Sequence, residues 1–383
     1  MNAIGSMINL DDVMQPVATA LGLPSPFYTD PAMHALERRK VFERNWPCVG
    51  FGKDVPRPGD LKPITFLGQP LLIARGRDGK VRVFENVCRH RGAILVSEPA
   101  SGKPVIRCPY HSWCYGLDGA LVTTPHVGGP GRNTHPDIKR GELGLFEVRS
   151  HVWFDMIFVN VSRSAPDFTD YAADLIERFK EFDEGSLVHG GEDSTFRIEL
   201  GANWKLAVEN YAESYHLPWI HPGLNSYSRL EDHYNMVGRS FCGQGSHAYT
   251  PSFGPNGERF MEFGGLSEKW TKGAEYPCFF PNILLGFQND HLFVIRLEPV
   301  THDATVEHVE IYYADKAMTA PGFAGMRRKN AQMWKDIFVE DVDVVERMQK
   351  GRHAPSFDGG KFSPVMDGPT HRFHEWIAEQ IKA

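Results

Sequence analysis

The stretch ENVCRHRGAILV, residues 85–96, places a thiol and an imidazole two positions apart. The stretch IRCPYHSWCYG, residues 106–116, repeats the combination. The four residues concerned are Cys88, His90, Cys108 and His111, with 17 residues between the two pairs. Two cysteines and two histidines supply the four ligands that many protein metal centres use. The sequence therefore predicts a metal site that two loops build jointly.

Each loop supplies one Cys and one His, and this pairing separates the possible metal centres. Structural zinc sites usually take a pair of cysteines two to four residues apart and a separate pair of histidines. A Rieske [2Fe–2S] cluster needs two thiolates on one iron and two imidazoles on the other. We assign Cys88 and Cys108 to the first iron, and His90 and His111 to the second. Zinc binding and two unrelated Cys-His pairs are the alternatives.

Length and composition indicate a globular protein of two or three domains. The chain has 383 residues, of which 42% are hydrophobic, so buried cores are expected. The net charge of −7 argues against a nucleic-acid partner. The stretch HVWFDMIFVNV is too short and too interrupted to span a membrane. The acidic N-terminal segment MNAIGSMINLDDVM lacks the basic start of a signal peptide, so we expect a cytoplasmic protein.

The remaining cysteines fit the same location. Six cysteines in a chain of this length do not make a disulfide framework. Cys48, Cys114, Cys242 and Cys278 are therefore predicted to be reduced thiols.

The pattern along the chain predicts an α+β fold. Short β-like runs separated by Gly, Pro and Asp occupy residues 46–161, which we predict to be an all-β domain carrying both metal loops. Residues 1–45 and 162–383 are predicted to form a second, catalytic domain. There the stretches CFFPNILLGF, HLFVIRLEPV and TVEHVEIYYAD predict antiparallel strands, and two helical patterns close the chain.

A second metal site is predicted within NWKLAVENYAESYHLPWIHPGLN, residues 203–225. Asn203 can cap a helix. In a continuous helix, Glu209, Glu213 and His216 would share one face at positions i, i+4 and i+7. Two carboxylates and an imidazole are costly to bury unless they bind something.

A bend in the chain after His216 is predicted to place a second imidazole beside it. Pro218 is predicted to end the regular helix, so the chain can bend and place His221 beside His216. Two histidines and one carboxylate, with coordination positions left open, form the facial triad of non-haem Fe(II) oxygenases.

The third ligand of such a triad must come from a distant segment. The stretch WKDIFVEDVDVVERMQKG, residues 334–351, offers Glu340, Asp341 and Asp343. On helical spacing Asp341 shares a face with two valines, so we predict that it points inward and binds the iron.

Two other kinds of protein are disfavoured. Glu213-x-x-His216 is half of a di-iron signature, but a second Glu-x-x-His is absent from the sequence. A plain Rieske electron carrier is disfavoured because it needs only one domain of about 100–120 residues, which would leave most of this chain without a role.

No G-x-G-x-x-G or Walker motif is present, so electrons from NAD(P)H are expected to arrive from a separate reductase, with or without a ferredoxin.

Taken together, these motifs resemble those of the Rieske non-haem iron oxygenases, in particular their large α subunit. The resemblance covers nearly the whole chain. Its motifs are Cys88-x-His90-Arg91-Gly92, Cys108-Pro109-Tyr110-His111, Asn203-Trp204-Lys205, Glu209-Asn210, His216-x4-His221, Pro281-Asn282 and Asp341. It implies a small Rieske domain, a catalytic domain with a helix-grip-like antiparallel sheet, a flavin and iron–sulfur reductase as partner, and a homotrimer.

The resemblance also implies roles for individual residues. His216, His221 and Asp341 would hold a mononuclear Fe(II), with Asn210 in the same catalytic site. Glu213 would be the carboxylate that links His216 to His111 of the partner subunit, where the cluster of one subunit faces the iron of its neighbour.

The sequence departs from the family pattern at two positions. Ser112 stands where the family usually has Gly after the second cluster histidine. Glu213 stands where aromatic-ring dioxygenases mostly carry Asp, with one residue more between the Glu-Asn pair and this carboxylate. The shorter spacing in this chain is similar to that of the carnitine, stachydrine and glycine-betaine oxygenases. The implied reaction is O2-dependent oxidation of a C–H bond in an alkylammonium or betaine-like compound by N-demethylation or hydroxylation, with aromatic-ring hydroxylation as the alternative. The pocket is predicted to include Phe279, Phe280, Asn282, Phe287 and Phe293.

Overall fold

A computed structural model describes residues 9–251 and 259–383. The chain divides into two compact units, one of residues 44–165 and one of residues 1–43 with 166–383. These divisions lie within five residues of the boundaries expected from the sequence. Within the described ranges, no helix combines the length and apolarity needed to cross a membrane. Residues 1–8, which are part of the N-terminal segment predicted not to be a signal peptide, lie outside the described residues. The cytoplasmic location stays a prediction.

The regular secondary structure of the smaller unit consists almost entirely of antiparallel strands. Its strands are β1 (Cys48–Phe51), β2 (Leu61–Phe66), β3 (Gln69–Arg75), β4 (Val81–Glu85), β5 (Ile106–Arg107), β6 (Cys114–Tyr115), β7 (Leu121–Thr123), β8 (Glu147–Trp153) and β9 (Met156–Asn160). Six strands form a sheet in the order β1-β9-β8-β4-β3-β2, and β5-β6-β7 form a second sheet. The first metal loop follows β4, and the second joins β5 to β6.

Turn chemistry and a shared core explain this arrangement. Leu67 and Gly68 both have positive φ, as the two-residue hairpin between β2 and β3 requires. One hydrophobic core contains residues of both sheets together with Cys88 and Cys108, so the two metal loops pack against buried side chains. Its largest members are Phe84, Trp113 and Tyr115.

The larger unit is organised around one antiparallel sheet. Its strands are β10 (Val188–His189), β11 (Thr195–Leu200), β12 (His233–Val237), β13 (Phe241–Ser246), β14 (Ala274–Phe279), β15 (Ile283–Phe287), β16 (His291–Thr301) and β17 (Ala304–Tyr313). Their order is β10-β17-β16-β15-β14-β13-β12, and β11 also pairs with β17. Every residue of β14 and β15 is buried, because helices cover the centre of the sheet.

The helices of this unit are α1 (Pro26–Thr29), α2 (Pro31–Glu37), α3 (Phe168–Tyr171), α4 (Ala173–Arg178), α5 (Trp204–Ala212), α6 (Leu217–Ile220), α7 (Pro222–Asn225), α8 (Ala324–Gly351) and α9 (Gly368–Lys382). The segments α5 and α9 pack against β13, and α8 packs against α5 and β11. The predicted α+β class, with a helix-covered antiparallel sheet, is confirmed.

The continuous helix predicted through His216 is wrong. The Asn203 side chain caps α5 by accepting from the Lys205 amide, as expected, but α5 ends at Ala212. Glu213 has extended backbone angles, so it does not continue the stripe from Glu209. Pro218 lies inside α6 rather than terminating the helix.

Candidate active site

The two loops of the smaller unit have the same backbone hydrogen-bond pattern. The amide of Cys88 donates to Ala93 O, and that of Gly92 donates to Cys88 O. In the second loop the amide of Cys108 donates to Trp113 O, and that of Ser112 donates to Cys108 O. The spacing is identical, so two equivalent turns present their cysteines and histidines together. Gly92 and Ser112 are equivalent, and both have positive φ, +73° and +57°.

The four side chains of these loops fit a Rieske cluster. Cys88 and Cys108 are buried free thiols, and the His90 and His111 rings lie 4.7 Å apart, centroid to centroid. Partial desolvation and the neighbouring His111 lower the pKa of His90, which favours the neutral imidazole that binds metals. The Nδ1 atom of His111 is buried and has no hydrogen-bond partner among the described residues. A bound iron would satisfy that nitrogen.

One tyrosine reaches a cluster sulfur from beneath the loops. The hydroxyl of Tyr115 lies 3.3 Å from Sγ of Cys88, and it accepts a hydrogen bond from the Arg89 amide at 3.0 Å. Burial raises the pKa of Tyr115, so the hydroxyl keeps its proton for donation to the sulfur. Hydrogen bonds to cluster sulfurs are one of the ways in which a protein sets the cluster's reduction potential.

The larger unit brings His216, His221 and Asp341 into one group whose ligand atoms all lie within 4.8 Å of one another. Oδ1 of Asp341 is 3.0 Å from Nε2 of His221 and 3.8 Å from Nε2 of His216. The short helix α6 lies between the two histidines, and Asp341 projects from α8. Asn210, near the end of α5, donates from Nδ2 to Oδ1 of Asp341 over 3.1 Å, which orients that carboxylate.

Two further carboxylates hold the other ring nitrogens of these histidines. Nδ1 of His216 lies 2.7 Å from Oε1 of Glu213, and Nδ1 of His221 lies 2.7 Å from Oε2 of Glu340. Both Nε2 atoms are therefore left for a metal, in the carboxylate–histidine–metal arrangement found at many sites. Burial opposes a charged His221, yet Asp341 and Glu340 raise its pKa overall. The donor set thus favours a cation at this point and fits a mononuclear iron.

A fourth acidic side chain, Glu307, lies beside Asp341. Glu307 of β17 is buried and lines a small cavity together with Asn210 and Asp341. Burial, followed by the negative charge of Asp341, raises the pKa of Glu307 to about 8. This carboxyl group is therefore mostly protonated at neutral pH in the absence of a bound cation.

Two acidic residues that the sequence analysis considered for the iron site lie elsewhere. Glu209 is buried on the other side of α5, where its carboxylate contacts Tyr28 at 2.5 Å, Arg352 at 3.0 Å and His374 at 3.1 Å. Burial alone would raise its pKa, but those three groups hold it at about 2. Asp343 is 74% exposed and pairs with Arg347, so it faces solvent rather than the iron site.

A cavity, partly open to solvent, adjoins the His216, His221 and Asp341 group. Five aromatic rings line it: Tyr211, Tyr276, Phe293, Trp334 and Phe338. Its polar lining residues include Asn210, Ser228, His233 and Gln244. Nδ1 of His233 lies 2.5 Å from Oε1 of Gln244, and burial lowers the pKa of His233, so this wall is uncharged at neutral pH.

Only one of the five predicted pocket residues, Phe293, lines this cavity. Phe279 packs on Phe168 and Tyr171, and Phe287 stacks on Phe179. Phe280 contacts Phe373 and Trp376, while Asn282 donates to Leu297 O. The pocket predictions at these four positions are therefore wrong.

The sequence prediction missed Trp334 and Phe338. They precede Asp341 by seven and three residues, so the three side chains share one face of α8. This spacing is a signal that identifies both aromatic residues once Asp341 is accepted as a ligand.

Residues 189–383 match the family described as Ring hydroxylating alpha subunit (catalytic domain), and residues 45–137 match the Rieske [2Fe-2S] domain. The chain is 27% identical over 344 residues to the carnitine monooxygenase oxygenase subunit of Acinetobacter pittii, covering 88% of this chain and 86% of that protein. It is 27% identical over 387 residues to the chloroplastic choline monooxygenase of Atriplex hortensis, covering 100% and 83%. A solved structure of a quaternary ammonium Rieske monooxygenase superimposes with a TM-score of 0.78 at 24% identity, covering 97% of this chain and 98% of that chain.

Proposed function

This chain belongs to the Rieske ring-hydroxylating α-subunit family and is the terminal oxygenase of such a system, and from this premise we propose that it oxidises an alkylammonium compound. Its similar proteins include carnitine, choline and glycine betaine monooxygenases, which supports this substrate class. The observation that carries the proposal is the wall of five aromatic rings beside the iron site.

Aromatic rings suit an alkylammonium group better than carboxylates do at this position. A methylated ammonium ion is bulky and donates no hydrogen bonds, so it gains most from the negative faces of Trp, Tyr and Phe rings. The rings are packed into one cluster: Phe293 lies 4.4 Å from Trp334 and 5.3 Å from Phe338, centroid to centroid. A preformed cluster of this kind binds such a cation with little reorganisation.

The non-aromatic residues that line the cavity indicate which chemical group the other end of the substrate carries. The residues that line the cavity in the described part of the chain include neither Lys nor Arg. A substrate carboxylate would therefore meet only neutral donors such as Ser228, Asn210 and Gln244. Within the alkylammonium class, this lining favours a substrate whose tail is an uncharged polar group, such as a hydroxyl.

The reaction joins one atom of O2 to a C–H bond near the ammonium nitrogen and releases the other as water, which consumes two electrons and two protons. When bound, the cluster supplies single electrons and the mononuclear iron supplies O2 activation. His216, His221 and Asp341 would hold the iron, and Asn210 orients Asp341. The rings of the cavity hold the substrate and exclude water. If the oxidised carbon is an N-methyl group, the C–N bond of the hydroxymethyl product breaks, and formaldehyde, the demethylated amine and one proton are released.

Electrons from NAD(P)H enter through a separate reductase, because no nucleotide-binding motif was found in the sequence. We place the cluster of one subunit against the iron site of the next in a homotrimer, with Glu213 between His216 and His111 of the partner subunit. Large exposed aromatic side chains support such a contact. Tyr110 in the second cluster loop is 60% exposed, and Trp219, close to Glu213 in sequence, is 69% exposed.

A substrate screen tests this function. The protein, loaded with cluster and iron, is supplied with NADH and a surrogate reductase, and then with choline, glycine betaine, carnitine or simple arenes. We expect O2 consumption coupled to formaldehyde or to an oxidised alkyl product with at least one ammonium compound. Coupled formation of phenols or diols, with no turnover of any ammonium compound, would instead establish aromatic-ring hydroxylation, which the apolar cavity would also accommodate.

A further inference from the structure

Three side chains behind the cavity form a buried hydrogen-bonded series that the reaction as described does not use. Trp334 lines the cavity, and its indole Nε1 donates to Nε2 of His291 over 2.9 Å. Nδ1 of His291 lies 2.6 Å from Oδ1 of Asp290. Asp290 and His291 are completely buried and Trp334 is 2% exposed, so bulk water does not weaken these bonds.

The indole fixes the protonation of this series. An indole N–H donates only, so Nε2 of His291 must be the unprotonated, accepting nitrogen. The ring proton of His291 therefore resides on Nδ1 and is donated to Asp290. The series runs in one direction, from Trp334 through His291 to a carboxylate.

The charge of Asp290 is only partly balanced. Nε of Arg259 is 3.9 Å from Oδ2 of Asp290, which is too long for a hydrogen bond. Oδ2 has no hydrogen-bond partner among the described residues. The Arg259 side chain is 30% exposed and also donates from Nη2 to Asn289 at 2.9 Å. Its charge is therefore shared with solvent and with Asn289.

A negative charge at the end of such a series acts on the indole ring. Hydrogen bonds in series polarise one another, most strongly where the local dielectric constant is low. An indole whose N–H is drawn toward an anion holds more electron density in its π system, and a cation over the ring is attracted by that density. We infer that Asp290 and His291 are positioning residues that strengthen the binding of the substrate's ammonium group by Trp334. This inference rests on the proposed alkylammonium substrate.

Neighbouring rings hold the indole in a defined place, so the effect is not averaged over several orientations. The Trp334 ring lies 4.4 Å from Phe293, 5.7 Å from Phe338 and 5.8 Å from Tyr249, centroid to centroid. The same packing means that a change at Asp290 alters the charge behind the indole without removing the indole's other contacts.

The test compares a cation with its neutral isostere. Binding of choline and of 3,3-dimethylbutan-1-ol, in which carbon replaces the nitrogen, is measured by anaerobic calorimetry on protein containing both metal centres. The variant is Asp290→Asn, which keeps an oxygen for His291 but removes the charge. The control is Asp303→Asn, because Asp303 also neighbours a histidine, His302, but is half-exposed and does not line the cavity.

We expect the wild type and Asp303→Asn to prefer choline to the alcohol to the same extent. Asp290→Asn should lower that preference by about threefold or more, chiefly by weakening choline. In a Trp334→Phe background, which lacks the indole N–H, Asp290→Asn should change the preference by less than about twofold. His291→Met, whose thioether can accept weakly from the indole but cannot donate to Asp290, is the second variant and should behave as Asp290→Asn does.

Four results would overturn the inference. An unchanged preference in both Asp290→Asn and His291→Met would show that the charge does not act on the substrate. Equal weakening of choline and of the alcohol would show that the residues act only on packing. An equal loss of preference with and without the indole N–H would show that Asp290 acts through space. If the wild type itself does not prefer choline, the alkylammonium substrate is wrong and the inference falls with it.

Discussion

Nδ1 of His216 lies 2.7 Å from Oε1 of Glu213. The backbone amide of His216 also donates to the other carboxylate oxygen of Glu213, at 3.3 Å, so this side chain is held in place by the turn that follows α5. The bond occupies the ring nitrogen that a metal at Nε2 does not use. Glu213 is therefore fixed in position to orient a histidine that would bind the iron, and in the proposed trimer electrons would pass through it.

The hydrogen bond from Tyr115 to Cys88 is expected to raise the reduction potential of the cluster. Such a bond is stronger to the more negative, reduced state. If it is worth about 1 kcal/mol more in that state, Tyr115→Phe lowers the one-electron potential by about 40 mV. Redox titration followed by visible circular dichroism measures this change.

Tyr110→Phe is the matched control for that titration, because it also removes one hydroxyl from the cluster loops. The Tyr110 hydroxyl contacts Arg91 rather than a cysteine, so the potential should stay within about 10 mV of the wild type. Equal potentials in Tyr115→Phe and wild type would mean that this hydroxyl does not influence the cluster.

Ser112 adopts the left-handed backbone conformation that its equivalent in the first loop, Gly92, adopts without strain. A non-glycine residue there costs about 1 kcal/mol. Ser112→Gly should therefore stabilise the cluster domain by about that amount, less the small contribution of the exposed Arg107–Ser112 hydrogen bond. Thermal loss of the cluster absorbance gives the measurement.

The reverse change at the equivalent position completes this comparison. A Cβ at Gly92 would meet no heavy atom within 4 Å, so Gly92→Ala tests backbone conformation alone. It should destabilise by about 1 kcal/mol. A Ser112→Gly variant that melts below the wild type would show that the serine hydroxyl matters more than its backbone angle.

Asp341 and Asp343 allow the iron ligand to be identified by a matched pair. Asp341→Ala should lose the mononuclear iron and all turnover while keeping the colour of the cluster, so that iron falls from about three to about two per chain. Asp343→Ala should retain all three, since Asp343 faces solvent. Iron analysis of the two proteins decides the assignment, and the opposite pattern would exchange their roles.

Glu307 is expected to make stability depend on pH. Its unfolded pKa is near 4.5 and its folded pKa is about 8 without bound iron, so the folded chain retains a proton that the unfolded chain loses between these values. Stability therefore falls as pH rises through that range, by up to about 1.4 kcal/mol per unit. In iron-free protein, the gain in melting temperature from Glu307→Gln should increase from pH 5 to pH 8.

Glu199→Gln, at a 70% exposed position of β11, is the control for that experiment and should show no such trend. A gain from Glu307→Gln that is equal at both pH values would mean that Glu307 ionises normally in the folded chain.

The parts of the site that depend on local spacing were predictable from the sequence. The Cys and His pairs identify the cluster loops because the chemistry of the centre requires that combination. Asp341 was selected over Asp343 by its helical phase relative to Val344 and Val345, and Val345 is indeed buried. The family and the fold class followed from these motifs and are confirmed.

The parts that depend on distant segments were not predictable. Nothing near Glu209 in the sequence indicates that its carboxylate contacts Tyr28, Arg352 and His374. The alternation along β14 and β15 likewise gives two faces, but both are buried, so burial does not tell which face meets the cavity. This is why Phe279 and Phe287 were assigned to the pocket incorrectly.

The proposed passage of electrons through Glu213 is the most specific part of the proposed mechanism. Glu213→Gln keeps the length of the side chain and its ability to accept from His216, but removes the charge. Glu340→Gln is its matched control, because Glu340 holds His221 at the same 2.7 Å yet lies off the proposed route. Both variants are expected to bind iron about tenfold or more weakly, so they are compared after full loading.

The deciding measurement is reoxidation of the prereduced cluster in a single turnover, followed by its visible absorbance after O2 and a turned-over ammonium substrate are added. The wild type and Glu340→Gln should reoxidise rapidly and form product in proportion to the cluster reduced. In Glu213→Gln the cluster should remain reduced and product should be almost absent. Rapid reoxidation with normal product yield in Glu213→Gln would contradict a route through this residue.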